Sequence, residues 1–149
     1  MPNANPAALD ALIERVEAWR EFDFHADYEL SDAILLADGW RCEPDAAWEG
    51  GVRWSYGTNP TVSTSELSRP RLLLNIGDAM GIIPFGFALQ LTTINRERSH
   101  AIIWHPRDPG TRWEAHVAPS DCTAVLSAAL RAIRNAPTPR HDNAAGGEA

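Results

Sequence analysis

Of the five histidines, His25, His100, His105, His116 and His141, only His105 and His116 can be drawn together by a single turn. They sit in HAIIWH (100–105) and RWEAHVA (112–118), two alternating stretches separated by PRDPGT. If these arms pair symmetrically about that turn, Trp104 faces Trp113, with Ile102 and Val117 on their side. His105, Arg112, Glu114 and His116 then share the opposite face, interrupted by Ile103. Two imidazoles beside a carboxylate are groups that can ligate a metal or move a proton near neutral pH. The same face is equally what a solvated or helix-covered sheet presents. The reading therefore assigns no catalytic residue, no metal and no cofactor.

Other catalytic signatures are absent. There is no GxGxxG, GxxxxGK[ST], GxSxG or HExxH, hence no sequence warrant for a phosphate cradle, a nucleophile elbow or a metalloprotease helix. Asp10, Glu14, Arg15 and Glu17 have helical spacing and are expected on a solvated face. Asp32 and Asp78 fall within helical stretches, where neighbours alone decide their role. Recognition chemistry is better represented than catalysis. Arg41, Trp48, Arg53 and Tyr56 are the candidate ligand-binding residues, the aromatics to stack on a planar group and the arginines to meet phosphate or carboxylate. Trp40 and Trp54 fall on the apolar side of an alternation and are expected in the core, whereas Trp48 lies outside any pattern.

These side chains need elements to hold them. Asn5-Pro6 followed by Leu9, Leu12, Ile13, Val16 and Trp19 predicts an amphipathic helix over 6–20, capped by Asn and opened by Pro. A second helix is expected over 28–37, stopped by Gly39. WRCE turns Trp40 and Cys42 inward until Pro44-Asp45 breaks the strand, and GVRWSYG is a second short strand with Val52, Trp54 and Tyr56 on one face. GTNPTVSTSELS (57–68) is polar and turn-rich and is expected to be a mobile surface loop. A third helix opens at Ser68 and carries Leu72, Leu73, Ile76 and Met80 to Gly81. From Phe85 the period becomes two, so residues 85–118 read as a three-stranded antiparallel meander. The last helix starts near Pro119-Ser120 and presents Cys122, Val125, Leu126, Ala129, Leu130 and Ile133, with small residues that permit close packing on a sheet.

Composition bounds the function. The 149 residues carry 20 acidic and 13 basic side chains, a formal charge of -7, so neither nucleic acid nor an acidic membrane surface is an expected partner. Every basic residue is Arg, which with the abundant alanine reflects a GC-rich genome rather than a function. Cys42 and Cys122 have no metal-knuckle spacing and are expected as buried thiols in a reducing cytoplasm. No leader pattern or membrane-length apolar run is present, so a cytoplasmic location in the host cell is expected. The chain reads as one domain over 1–136, with a disordered polar tail over 137–149.

Three segments together resemble a known family: DAILLADGWRC (32–42), LLLNIGDAMGIIPFGFALQL (72–91) and APSDCTAVLSAALRAIRN (118–135). They are similar to the small phage and prophage proteins grouped as the phage ABA sandwich domain. The resemblance implies an antiparallel sheet between helix layers and a phage or prophage origin; that family transfers no catalytic residues. The fold class expected is α+β, a central antiparallel sheet of three to five strands sandwiched by helices. Three functions stay open. The first is a non-enzymatic phage accessory protein binding a small, nucleotide-like ligand at an aromatic and arginine-lined pocket or subunit interface, with homo-oligomerisation supplying the room. The second is a module that blocks or recruits a host protein, and the third a small hydrolase or transferase using the His105, Glu114, His116 face.

Overall fold

The sequence DCTAVLSAALRAIRN alternates small and large apolar residues so evenly that it can be packed from more than one side. It forms α4 (Asp121–Asn135), in which Ala124, Ala128, Ala129 and Ala132 are fully buried alongside Val125, Leu126 and Leu130. A helix buried nearly all round belongs to an interior. The computed structural model describes residues 6–20, 24–45, 51–56, 59–64 and 71–135. Preceding α4 are α1 (Pro6–Ala18), α2 (Phe24–Ala37), β1 (Trp40–Asp45), β2 (Gly51–Tyr56), β3 (Asn59–Thr64), α3 (Ile76–Met80), β4 (Ala88–Asn95), β5 (Arg98–His105) and β6 (Asp108–Ala118). The class is α+β, with an antiparallel sheet packed against helices. Strands β4-β5-β6 form that sheet, α4 lies against it, and α1 packs on α4. Strands β1-β2-β3 form a second antiparallel sheet rather than extending the first, joined to α2 through β1.

Alanines let α4 approach both neighbours, and polar pins fix its angle. Ser127 Oγ and Arg131 both donate to Glu17 Oε2 at 2.5 Å, and Arg134 grips Asp10 through two nitrogens at 2.6 and 3.2 Å. Asp10 and Glu17, expected on a solvated face, thus clamp α1 to α4. At its start, Ser120 Oγ accepts from the Thr123 N–H while Thr123 Oγ1 accepts from the Ser120 N–H, at 3.2 and 2.9 Å. This reciprocal arrangement satisfies donors that a helix otherwise leaves open.

Several boundaries differ from expectation for local reasons. The second helix begins four residues earlier, at Phe24, and stops as expected at Gly39, whose φ is 103°. The strand from Trp40 runs through Pro44, which β1 tolerates as an edge strand. Residues 59–64 of the expected loop are strand β3, paired with β2 from Val52↔Thr64 to Tyr56↔Asn59. Trp54 is buried in the core as expected and Trp40 packs against it, whereas Cys42 is exposed. The expected start of the third helix at Ser68 lies outside the described residues; within them the helix covers Ile76–Met80, capped by Asn75 Oδ1 accepting from the Asp78 N–H at 3.0 Å. Leu72 and Leu73 are buried in the turn before it, where the Leu72 N–H donates to buried Ser31 Oγ at 3.0 Å.

The meander is present with a later start and a longer third strand. Gly86 has φ 88° in a turn closed by the Phe87 N–H on Pro84 O at 3.1 Å, a conformation that favours glycine and swings Phe85 outward. The expected tail over 137–149 lies outside the described residues. Among those described, no helix is long and apolar enough to cross a membrane.

Candidate functional site

The β4-β5-β6 sheet has two unlike faces. Cross-strand partners share a face, and successive residues alternate. Leu91, Ala101 and Ala115 form one such row and Leu89, Ile103 and Trp113 the next, all in or against the core under α4. The other face carries Gln90, Ile102 and Glu114, then Ala88, Trp104 and Arg112, then Thr92 and His100. The expected pairing of Trp104 with Trp113 is therefore corrected: Trp104 stands opposite Arg112, and Trp113 opposite Ile103. The hairpin turns at Pro106-Arg107, with His105 opposite Asp108, instead of through all of PRDPGT. Together with the irregularity between Trp104 and His105, this leaves the rest of the ladder displaced by one residue, and one residue inverts every face assignment on the arm.

The expected His105, Glu114, His116 group is corrected with it. His105 falls on the α4 side, its ring edge-on to Phe87 with centroids 5.1 Å apart, and its Nδ1 accepts from the Arg107 N–H at 3.1 Å. In its place the structure brings His100 to Glu114 and His116. Between Ser99↔Ala118 and Ala101↔Ala115 the ladder slips, so His116 and Val117 together stand opposite His100. A bulge of this kind re-aims a side chain, and the two imidazoles stack with centroids 4.3 Å apart and planes 17° from parallel. Glu114 Oε1 is 3.4 Å from His100 Nε2 and 3.0 Å from His116 Nε2, while its Oε2 is 3.3 Å from Arg112 Nε. The hydrogen bond with His100 foremost holds the Glu114 carboxyl below its ordinary range; desolvation opposes it, and the charges of Arg112 and His116 add to the lowering. The sequence signal for His100 was the alternation itself, since His100, Ile102 and Trp104 share a side that excludes Ala101 and Ile103.

A second feature lies where the end of α1, the β4–β5 turn and the start of α4 meet. They line a half-open cavity of about 730 Å³, walled by Trp19, Arg20, Leu73, Ile76, Arg96 and Asp121 among others. Its polar wall is tied in place: Asp121 Oδ1 accepts from Thr93 Oγ1 at 2.7 Å and Ser99 Oγ at 2.6 Å. Arg20 donates to its own helix end, at Trp19 O over 2.8 Å, a common way for a cation to satisfy terminal carbonyls. Sequence reading missed this wall because its residues come from four separate stretches.

Of the four expected ligand-binding residues, Arg41 is not among the described residues that wall this cavity. Arg41 is exposed on β1 and stands opposite Ser55, Arg53 pairs with Glu43, and Tyr56 with Trp40. Positions 41 and 53 thus fall on one side of the pleat and position 56 on the other. Trp48, like the side chains of Arg53 and Tyr56, lies outside the described residues. No family model, no curated protein and no solved structure matches the chain.

Proposed function

We propose that the chain is a non-enzymatic accessory protein, of the phage or prophage kind its three segments resemble, that binds a small nucleotide-like ligand in the cavity beside α4. The cavity carries this reading. About 730 Å³ falls within the roughly 300–1,000 Å³ of small-molecule sites. Its wall combines apolar Trp19, Leu73 and Ile76 with the guanidinium groups of Arg20 and Arg96, the pairing of surfaces that a base and its phosphate need. Room for a ligand thus exists within one chain, and the expected subunit interface is no longer required to create it.

Isothermal titration calorimetry with nucleoside monophosphates and diphosphates tests the reading. Saturable binding is expected, weakened about tenfold or more by Arg96→Ala because a charge-assisted contact is lost. Arg96 lies in an exposed turn, so the variant keeps its fold. No heat with any nucleotide, and no mass adduct in native mass spectrometry after incubation with a host metabolite extract, would overturn it. Capture of a host protein whose hold falls steeply with salt would favour the interaction module instead.

A further inference from the structure

The opposite face of the same sheet supports a second site, independent of the cavity. One ligand atom from each of His100, Glu114 and His116 lies within 4.8 Å of the other two, brought together from β5 and β6. We propose that these three residues bind one divalent cation of the zinc class, with the fourth coordination position open to water or an external ligand. The site departs from the sequence reading, which assigned no metal.

Geometry is the first argument. Around a tetrahedral ion with bonds of about 2.0–2.1 Å, neighbouring donor atoms stand about 3.3 Å apart. Two of the three edges here, Glu114 Oε1 to His100 Nε2 at 3.4 Å and to His116 Nε2 at 3.0 Å, already have that length. The donor set is the second argument. Two imidazoles and one carboxylate suit zinc and its transition-metal neighbours, whereas calcium and magnesium prefer oxygen throughout.

Support around the ligands is the third. Arg112 Nε holds Glu114 Oε2 at 3.3 Å, which leaves Oε1 turned to the histidines and fixes the carboxylate as outer-shell partners of metal ligands do. All three ligands stand on paired strands whose reverse side is locked under α4, so their spacing is not at the mercy of a loop. The bulge opposite His100 is the fourth. Without the extra residue, His116 would follow the regular ladder; with it, His116 stacks on His100 beside Glu114. Side-chain exposures of 24%, 36% and 64% for His100, Glu114 and His116 give an ion a direct path in.

The test uses the full chain without an affinity tag. Titration with Zn²⁺, and with Co²⁺ followed by its visible absorption, is expected to give one equivalent bound with a tetrahedral spectrum. His116→Ala and Glu114→Gln should each weaken binding at least about tenfold, Arg112→Gln should weaken it about tenfold, and His105→Ala, on the other face, should leave it unchanged. Far-UV circular dichroism confirms that each exposed-site variant is folded. Two results would overturn the site: no saturable binding at millimolar Zn²⁺, or stoichiometric binding that survives both His116→Ala and Glu114→Gln, which would place the ion elsewhere. Neither result bears on nucleotide binding in the cavity, which Arg96→Ala reports separately.

Discussion

The two faces of the β4-β5-β6 sheet use the same strands for opposite ends. Toward α4, Ala101, Ala115 and Ala118 are fully buried around Ile103 in the core. Away from α4, His100, Glu114, His116 and Arg112 keep contact with water and with one another. The first face holds the protein together, while the second is free to hold something else. A side chain moved by one position along β5 would change from one role to the other, because the pleat alternates strictly.

The comparison can be broken most forcefully from the buried side. Ile103→Ala removes a fully buried side chain and should destabilise the protein by about 2–5 kcal/mol, the range for large-to-small changes that leave a cavity; urea denaturation measures it. Asp121→Ala cuts the hydrogen bonds from Thr93 and Ser99 that tie the sheet to the start of α4. A loss of about 1.5–3 kcal/mol is expected for bonds to a charged acceptor, read as a lowered urea midpoint with unchanged slope.

The exposed side answers to pH rather than to truncation. Glu114 binds its proton less readily in the folded chain than in the unfolded one, so the unfolded state carries more protons and stability rises with pH through this titration. The contribution is fully present above the ordinary carboxyl value of 4.5 and is lost as pH falls through the lowered folded value. Glu114→Gln should flatten that part of the urea midpoint against pH and leave the rest of the curve intact. His116→Ala is the smallest change: a side chain 64% exposed should alter stability by less than about 0.5 kcal/mol. If His116→Ala destabilised the fold as much as Ile103→Ala, the division between the two faces would fail.

Local periodicity carried much of the architecture. The stripe Leu9, Leu12, Ile13, Val16, the stop at Gly39, the burial of Trp54 and the apolar face of α4 all follow from spacing that a single element imposes on its own residues. The short third helix was less legible. Its LLL run has helical character, but Leu72 finds its partner in Ser31, 41 residues away, and a turn buries the leucines equally well. Polar TVST gave no sign of pairing with β2, since a strand of that composition is recognised by its neighbour and not by its own pattern.

The candidate sites divide in the same way. Sequence alone placed Glu114 and His116 on one side of a strand, two residues apart, because alternation is a property of one chain segment. It could not choose His100 over His105 as their companion, since that depends on the pairing register and on a bulge, both of which belong to the pairing of two strands and not to either one. Nor could it assemble the cavity, whose wall joins residues 19–20, 73–76, 93–99 and 119–122. Which stretches meet is decided by packing around α4, and only the folded chain brings Trp19 and Arg20 to the same space as Arg96 and Asp121.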